Sequence, residues 1–457
     1  MFGAHHGTRT ELSHPNRRRP RRSIALRRPH MSSEDDTFII VGGGQAGAWL
    51  ARTLRAEGFQ GRVVLISEER HWPYERPPLS KGFQDGTSAP DSFTLLTAQF
   101  AIAERIEFWP ATQVSRIDRS KRTVTCSDER SLNYTKLFLV TGGRPKMLPG
   151  MQAECPARMH VLRTQDDALR LRAALKESRH LLVIGGGWIG LEAAATARLS
   201  GVSVTILEAG SRLCARTVPT IVSDYLLAMH QRNGVTVKTS AALSTLRVGE
   251  SGVVAQLAGG ETVAADHVLV GIGISPNTGI AAACGIEVRN GIVVDKQGRT
   301  SDPDIFAAGD VALHPSDFAG EEIRLESWAN AQSQAICAAR AALGKDDLHT
   351  EIPWFWSDQY ATNLQCLGLP HRAAHAVARG DPQAGNGCWL FQTPCGRLAG
   401  ATAINAPREM RMLRKAFAQG CMPDLVAWAD NARPLTSLPM IPLSETPTEK
   451  DMQWAAV

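Results

Sequence analysis

Thr37-Phe-Ile-Ile-Val-Gly-Gly-Gly-Gln-Ala-Gly47 is the stretch that decides the fold of this chain. Its apolar first half predicts a buried parallel strand, and residues 48–57 continue as a helix. Between them, Gly42 permits a tight turn, Gly44 lets the backbone approach a pyrophosphate, and Gly47 lets the helix pack closely on the strand. The spacing therefore predicts a dinucleotide-binding βαβ unit.

The start of this helix predicts where the nucleotide lies. Free N–H groups and the helix dipole favour negative charge at a helix N-terminus, so we expect the diphosphate beside Gln45 and Ala46. A second strand, 62–67, ends at Glu68, which we expect to bind a ribose hydroxyl, with Glu69 as the alternative. A site for a diphosphate and a ribose predicts FAD rather than FMN.

The same unit recurs once along the chain. Residues 180–184 predict a strand, residues 191–200 a helix, and residues 202–207 a second strand that ends at Glu208. One GxGxxG motif is weak evidence, because a glycine-rich turn is often only structural, whereas two copies in the same context indicate two nucleotide sites. In the second turn, the residues expected to meet the nucleotide are Gly185, Gly187, Trp188, Ile189 and Gly190.

The acid at the end of the second unit predicts which nicotinamide nucleotide binds. A carboxylate at Glu208 would repel a 2′-phosphate, which favours NAD over NADP. Arg212 and Arg216 lie nearby in the sequence and keep NADP open as an alternative.

A third element follows the two nucleotide units. Residues 305–307 predict a short strand that runs into Gly309 and Asp310. An acid in this place can bond the ribitol chain of a flavin, although alone it could equally be a helix N-cap. After two dinucleotide units, we expect Asp310 to bind FAD.

Composition excludes other classes of protein. The 457 residues predict about three domains, and no apolar run approaches the roughly 18 residues of a membrane span. The net charge of +5 comes from residues 1–30, which hold eight Arg and one acid, Glu11; the rest has 42 basic and 44 acidic residues. We therefore expect no binding to nucleic acid and none to a membrane.

Residues 1–36 predict a disordered basic extension. Prolines interrupt the Arg-rich segment, so it fits neither an ordered element nor the amphipathic helix of a transit peptide. Our hypothesis is that Met31 is the native start and that residues 1–30 do not belong to the natural protein. N-terminal sequencing of the protein from its own cell tests this.

The nine cysteines predict neither a metal site nor a disulfide framework. Their number is odd and no two lie at C-x-x-C spacing, so zinc, iron–sulfur and thioredoxin-like patterns are absent from the sequence. Together with the absence of a signal peptide, this predicts reduced thiols in a cytoplasmic protein.

Further motifs carry a resemblance to a known family. They are Glu75-Arg-Pro-Pro-Leu-Ser-Lys81, Thr141-Gly-Gly143, Gly271-Ile-Gly273, Leu325-Glu-Ser-Trp328 and Pro353-Trp-Phe-Trp-Ser-Asp-Gln359. In combination they resemble the FAD-dependent ferredoxin reductases of aromatic-ring-hydroxylating dioxygenases and some P450 systems, which are putidaredoxin reductase-like. Within that family, the phenylpropionate/cinnamate dioxygenase reductases are the subgroup we expect. The resemblance covers residues 37–457.

The resemblance implies an α/β architecture with two Rossmann-like dinucleotide-binding domains and a C-terminal α/β domain of the dimerisation type. It implies an FAD domain at 37–148 and 276–350, an NAD domain at 149–275 and a C-terminal reductase domain at 351–457.

The resemblance also implies roles for particular residues. Lys81, Glu192 and Trp356 are expected at the reaction centre: Lys81 as a positive charge near flavin N5, Glu192 at the nicotinamide end of NADH, and Trp356 near the flavin ring, with Trp354 and Trp328 as competitors. The other expected nucleotide contacts are Arg76, Val114, Thr141, Gly142, Lys146 or Arg144, Trp328, Arg216, Gly271 and Gly273.

The implied reaction takes a hydride from NADH to FAD and passes single electrons to a [2Fe-2S] ferredoxin, expected to be of the Rieske type, which feeds an oxygenase. Two other functions are known for proteins with such a pair of nucleotide-binding units. A disulfide reductase needs a reactive Cys beside the flavin, but residues 37–125 contain none. An apoptosis-inducing-factor-like flavoprotein, whose NADH binding switches a protein interaction, stays open as the alternative.

Overall fold

The computed structural model describes residues 34–148 and 154–443. Residues 34–35 form a turn, and Asp36 leads from it into the first strand. Met31 and most of the predicted basic extension lie outside the described residues. So does the end of the chain after residue 443.

The helices of the described residues belong to all parts of the chain. In chain order they are α1 (Gln45–Ala56), α2 (Gly82–Asp85), α3 (Ala98–Ala103), α4 (Gln165–Glu177), α5 (Trp188–Leu199), α6 (Thr220–Arg232), α7 (Gly279–Ala283), α8 (Trp328–Ala342), α9 (Pro407–Ala418) and α10 (Leu425–Ala429).

The first nucleotide unit is built on a five-stranded parallel sheet. The strands lie in the order Ile305–Ala307, Lys136–Leu139, Thr37–Val41, Arg62–Ile66 and Ile106–Trp109. Helices α1 and α8 pack against each other on one face and bury an apolar core with it. A strand more than 160 residues downstream of Lys136–Leu139 thus completes the sheet that the first turn begins.

The second unit repeats this arrangement. Its parallel strands lie in the order Thr236–Lys238, Ser203–Leu207, His180–Ile184, His267–Val270 and Met159–His160. In both units the strand before the glycine-rich turn is central, with the strand after the helix beside it. The predicted strands 37–41, 180–184 and 305–307 are confirmed at the same bounds.

Smaller sheets, mostly antiparallel, accompany the two units. Their strands are Val114–Asp118, Thr123–Cys126 and Ser131–Asn133; Leu243–Gly249, Gly252–Leu257 and Thr262–Ala265; and Val288–Arg289, Gly291–Val293, Ala312–Ser316 and Glu321–Ile323. In the last of these sheets Gly291–Val293 pairs parallel with Ala312–Ser316. The paired strands Gly143–Pro145 and Ile274–Pro276 carry the chain between the two units.

The C-terminal part is a five-stranded antiparallel sheet. Its order is Trp354–Gln359, Thr362–Gly368, Leu398–Ile404, Asn386–Gln392 and His375–Asp381. One face shares an apolar core with the second nucleotide unit, and the other packs on α9 and α10. A short pair, Cys421–Pro423 with Met440–Pro442, closes this part.

Both long helices that follow the turns begin earlier than predicted. Helices α1 and α5 start at Gln45 and Trp188, whereas the sequence predicted starts at 48 and 191. The reason is that Gly47 and Gly190, which lower helix propensity, lie inside the first turn of each helix because only glycine fits there. No described helix is long and apolar enough to cross a membrane.

Candidate active site

The first glycine-rich turn leaves no room for side chains at two of the three glycines of its GxGxxG motif. Gly42 has φ +124°, and a Cβ there would lie 2.2 Å from the carbonyl oxygen of Val140. A Cβ on Gly47 would lie 2.0 Å from the carbonyl oxygen of Gly42. Both glycines are therefore required by the packing of the protein itself.

The second turn has the same constraints. Gly185 has φ +108°, and its Cβ would lie 2.5 Å from the carbonyl oxygen of Gly271; a Cβ on Gly190 would lie 2.2 Å from that of Gly185. Because the same close approaches recur, the two turns present equivalent surfaces.

The middle glycine of each turn is different. Gly44 and Gly187 have extended dihedral angles that any residue adopts. A Cβ on Gly187 would meet nothing within 4 Å, and one on Gly44 would meet only the Arg76 guanidinium, at 3.6 Å. Glycine here leaves open space at the N-termini of α1 and α5, which fits a diphosphate at each.

The Glu208 carboxylate is fixed beside the second turn. Its oxygens accept hydrogen bonds from the backbone N–H groups of Gly186, at 2.7 Å, and Gly210, at 2.6 Å. The Arg212 guanidinium donates to the carbonyl oxygen of Val218 at 2.6 Å and is thus engaged within the protein. Arg216 is exposed and lies over Gly273, 3.2 Å from where a Cβ would stand. Among the sequence candidates for a 2′-phosphate partner, this favours Arg216 over Arg212.

The two candidate ribose acids of the first unit differ in their surroundings. Glu69 pairs with Arg76 at 2.7 Å and accepts a hydrogen bond from the Tyr74 hydroxyl. Glu68 follows the strand with an exposed side chain. The engagement of Glu69 within the protein favours Glu68 as the ribose ligand.

An arginine that sequence reasoning missed links Arg76 to Asp310. Arg76 donates to the backbone carbonyl of Arg163, and the Arg163 guanidinium pairs with Asp310 at 2.9 Å. Burial and the charge of Arg76 lower the pKa of Arg163. Burial lowers the pKa of Arg76, but its charge and hydrogen-bond interactions, chiefly those with Glu69, together raise it by more. The pKa of Arg76 therefore lies above its ordinary value. Arg163 stands in a loop without a motif, so only its long-range contacts reveal it.

Asp310 and its glycine lie against the first turn. A Cβ on Gly309 would lie 3.3 Å from the Cβ of Ala46, so the third sequence element meets the N-terminus of α1. The Gly309 N–H donates to the side-chain oxygen of Gln334 at 2.8 Å, which fixes the loop. The first glycine-rich turn, Arg76 and Asp310, which the sequence expects to hold FAD, therefore lie close together.

The tryptophans predicted near the flavin form one cluster. The Gln45 side-chain oxygen accepts from the indole N–H groups of Trp328, at 3.0 Å, and Trp49, at 3.2 Å, in the amide orientation that satisfies both. Trp328 meets Trp356 edge-to-face with ring centres 5.6 Å apart, and Trp356 stacks on Trp354 at 5.3 Å. The structure brings all three competing candidates together, so the choice of Trp356 stays a prediction.

The remaining predicted contacts lie around the segments that join the units. Thr141 donates from its hydroxyl to the carbonyl oxygen of Asn277 at 2.7 Å, and Gly142 has φ +61°. The exposed Lys146 donates its backbone N–H to the carbonyl oxygen of Gly273 at 2.9 Å. Arg144 is also exposed, and Val114 is half-buried at the start of its strand.

At the start of α5, Trp188 and Ile189 differ in how accessible they are. The indole N–H of Trp188 donates to the Thr217 hydroxyl at 3.0 Å, and its ring packs on Phe355. Ile189 is exposed and borders the open space at Gly187.

Lys81 and Glu192 meet where the two units face each other. The Lys81 ammonium lies 3.0 Å from one carboxylate oxygen of Glu192, which is only 4% exposed. Ser357 donates to that same oxygen at 2.6 Å, and Ser80 donates to the other. A buried carboxylate is costly unless it is paired and hydrogen-bonded, and here it has one cation and two hydroxyl donors. Ser357 comes from the C-terminal sheet, and sequence reasoning missed its role.

Comparison with known proteins agrees with this geometry. Residues 36–335 match the model of the family described as pyridine nucleotide-disulphide oxidoreductase, and residues 354–439 match the reductase C-terminal model. The chain belongs to the pyridine nucleotide-disulphide oxidoreductase family.

Several reductases are similar over nearly their whole length. The ferredoxin–NAD(+) reductase component of the anthranilate 1,2-dioxygenase system of Burkholderia cepacia is 39% identical over 395 residues, 86% of this chain and 97% of that protein. The 3-phenylpropionate/cinnamic acid dioxygenase reductase component of Photorhabdus laumondii is 40% identical over 384 residues, 84% and 96% of the two chains.

Among solved structures, putidaredoxin reductase in its covalent complex with putidaredoxin superposes with a TM-score of 0.85 at 33% identity, covering 88% of this chain and 98% of that one. The predicted fold class and family resemblance are confirmed. Membership of this family implies FAD and NAD(H) as cofactors of the reductase, and both open turns fit a dinucleotide.

Gly44→Val and Gly187→Val should each weaken the binding of one nucleotide and leave the other bound. A Cβ at either place would meet no protein atom closer than 3.6 Å. Valine would, however, fill the space for a diphosphate, and overpacking costs about 1–3 kcal/mol. We expect Gly44→Val to purify without FAD, and Gly187→Val to keep FAD while its KM for NADH rises about tenfold or more. Absorbance of the flavin and steady-state kinetics measure the two effects.

The wild-type protein is the control for this pair: it should be yellow and release FAD, not FMN, on heating, as identified by mass. FAD retained in Gly44→Val, or FAD lost from Gly187→Val with normal NADH kinetics in the remainder, would mean that the turns are wrongly assigned.

Glu208 should make the reductase prefer NADH to NADPH. Hydrogen bonds to a charged group are worth about 1.5–3 kcal/mol, so Glu208→Ala should lower kcat/KM for NADH about tenfold or more, and that for NADPH less. Because Glu208 also binds two backbone N–H groups, FAD content and thermal midpoint are measured alongside. A wild-type kcat/KM that is equal or higher with NADPH contradicts the assignment.

Proposed function

We propose that this chain is an NADH-dependent ferredoxin reductase that supplies electrons to an aromatic-ring dioxygenase. The observation that carries the proposal is the 3.0 Å contact between Lys81 of the first nucleotide unit and Glu192 of the second. It joins the two units, and we place the flavin ring and the nicotinamide beside it. Bound FAD would take two electrons as a hydride from NADH and release them singly.

The residues at this point supply placement and charge. Lys81 would hold a positive charge near the flavin ring and stabilise the negative charge that reduction places on it. Glu192 would orient the nicotinamide end while its own charge is balanced by Lys81. Trp356 and its neighbours would cover the flavin on the side of the C-terminal sheet.

The individual site assignments are part of the proposal. For FAD they are Gly42, Gly44, Gln45, Ala46, Gly47, Glu68, Arg76, Lys81, Val114, Thr141, Gly142, Lys146, Asp310 and Trp328; for NADH they are Gly185, Gly187, Trp188, Ile189, Gly190, Glu192, Glu208, Arg216, Gly271 and Gly273. To these we add Arg163, because it pairs with Asp310. The boundaries of the FAD, NAD and C-terminal domains are proposed as stated from the sequence.

Thiol chemistry is not favoured for this family member. The region 37–125, where a disulfide reductase would hold its reactive cysteine, contains none, and all nine cysteines are unpaired in the described part of the chain. Cys214 lies nearest the second turn, with its sulfur 3.5 Å from the carbonyl oxygen of Gly186. Burial raises the pKa of this thiol well above its ordinary value, so it is not a ready nucleophile.

The partner we propose is a [2Fe-2S] ferredoxin of the Rieske type in the cytoplasm. Similar proteins are named as ferredoxin–NAD(+) reductase components of dioxygenase systems, which supports a ferredoxin over the interaction-switch alternative. Rapid NADH-dependent reduction of an added ferredoxin tests this. Slow flavin reduction with a long-lived reduced product would favour the switch.

Helix α9 offers a basic surface to a ferredoxin, and small ferredoxins are commonly acidic. Met410, Leu413 and Phe417 are buried, and Arg408, Arg411, Arg414 and Lys415 are exposed. The Arg414 guanidinium lies 4.1 Å over the ring of Trp354, the outer member of the tryptophan cluster. Arg411, Arg414 and Lys415 also line a shallow surface depression with Gln365 and Pro407. A basic surface one aromatic ring from the proposed flavin site is suited to steer an acidic ferredoxin.

Reversing Arg411 and Lys415 to Glu should lower the rate of ferredoxin reduction about tenfold, because steering depends on the sign of charge. In the wild type the same rate should fall as salt rises, since charges are screened beyond about 8 Å at physiological ionic strength. Reduction of a small neutral dye should be unchanged.

The matched control reverses Lys121 and Arg247, which are exposed on other parts of the molecule. An equal loss in this control would point to net charge rather than to α9. No loss in the α9 variant would remove the helix from the docking surface.

A further inference from the structure

A row of buried polar side chains runs inward from the Glu192 carboxylate. The Ser357 hydroxyl lies 2.6 Å from Glu192, the Gln359 amide nitrogen 3.0 Å from Ser357, and His230 Nε2 2.8 Å from the Gln359 oxygen. The Tyr360 hydroxyl completes the row, 3.1 Å from His230 Nδ1. Ser357, Gln359 and His230 are buried, and His230 is 0% exposed.

Every hydrogen bond in this row points toward Glu192. The only hydrogen of the Ser357 hydroxyl is given to the carboxylate, so Ser357 accepts from the Gln359 amide nitrogen. The Gln359 oxygen must then accept, which places the imidazole hydrogen of His230 on Nε2. His230 Nδ1 is left to accept from Tyr360. Turning the amide over would face its oxygen toward a hydroxyl whose hydrogen is already used.

The ionisation of the outer members fits this direction. Burial lowers the pKa of His230 to about 4, so its imidazole is neutral and has one hydrogen and one free lone pair. Burial raises the pKa of Tyr360 to about 12, so its hydroxyl keeps the hydrogen that it donates.

The elements that carry the row explain why it is rigid. Ser357 and Gln359 are two apart on strand Trp354–Gln359 and therefore share a face. That face packs on α5, which holds Glu192, and His230 lies in α6 of the same nucleotide unit. The opposite face of the strand carries Trp354 and Trp356.

We propose that His230 is a positioning residue for the nicotinamide end of the site. It holds Gln359 in the one orientation that donates to Ser357, and Ser357 in turn holds Glu192 in register with Lys81. Because His230 is 0% exposed, it would act through Gln359 rather than by direct contact with a nucleotide. This role rests on the proposed function, because the placement of Glu192 matters only if hydride transfer takes place beside it.

The test compares His230→Leu with His230→Gln by rapid-mixing measurement of flavin reduction by NADH. Leucine removes the donor to Gln359, and the limiting rate should fall about tenfold with FAD content unchanged. Glutamine carries an amide nitrogen near the place of Nε2, and should restore the rate to within about threefold of wild type. The affinity for NAD⁺, followed by the flavin spectrum, should fall in the leucine variant and recover in the glutamine variant.

The matched control is His160→Leu. His160 is also buried in the second nucleotide unit, has its pKa lowered to about 4 by burial, and bonds to His267 at 3.0 Å away from Glu192. It should lose stability with little change in the limiting rate. If both leucine variants lose stability alike and neither loses rate, His230 is a structural residue and the proposal fails.

A readout without turnover is the tautomer of His230, measured by nitrogen NMR of protein labelled at histidine. The wild type should carry its hydrogen on Nε2, and a hydrogen on Nδ1 overturns the proposal. If His230→Leu does not fold, Tyr360→Phe removes only one hydroxyl; it should weaken the tautomer preference and slow flavin reduction a few-fold, and an unchanged tautomer and rate would count against the row.

The same data separate this proposal from the proposed function. A wild-type protein whose flavin NADH does not reduce would refute the proposed function. An active wild type with an unaffected His230→Leu would refute only the role of His230.

Discussion

The burial of the Glu192 carboxylate is the constraint on which the arrangement of this molecule depends. Removing one partner of a buried charge costs on the order of several kcal/mol, so this carboxylate must be surrounded by donors. Its partners come from all three parts of the chain: Lys81 and Ser80 from the first nucleotide unit, and Ser357 from the C-terminal sheet, while Glu192 itself lies in the second unit. One charge thereby fixes how the three parts meet.

Strand Trp354–Gln359 connects the partners of Glu192 to the tryptophans of the site. Its side chains alternate between faces, so the serine and glutamine that stabilise Glu192 have tryptophans as their neighbours in sequence. A shift of the strand by one residue would exchange the two sets and put indoles against the buried carboxylate. The register that satisfies Glu192 is therefore the same register that brings Trp356 to Trp328 and Trp354 to Arg414.

Much of the fold was predictable because its determinants are local. The strand, turn and helix of each nucleotide unit lie within 20 residues, 37–56 and 180–199, and the glycines indicate close contacts between backbone atoms. For the candidate site, the sequence pointed only to residues that stand in or beside a motif, such as Lys81 and Glu208. The sequence did not indicate Arg163, Ser357 or His230, because their roles depend on contacts with segments between 129 and 165 residues away. A lone serine or histidine in a sequence does not indicate which carboxylate it will meet.

The family is described by disulphide chemistry, but this chain has no cysteine in the region where such chemistry would take place. A disulfide reductase needs a covalent partner for two electrons, and so a thiolate beside the flavin. Transfer of single electrons to another protein needs only a short, well-packed route and an approach surface of suitable charge. Here the region that would hold the cysteine has none. Instead, Trp328 at the start of α8 contacts the stacked pair Trp356 and Trp354. Arg414 on the surface of α9 covers the outer ring of that pair. Under the proposed function, these aromatic contacts would give electrons a route outward that needs no thiol.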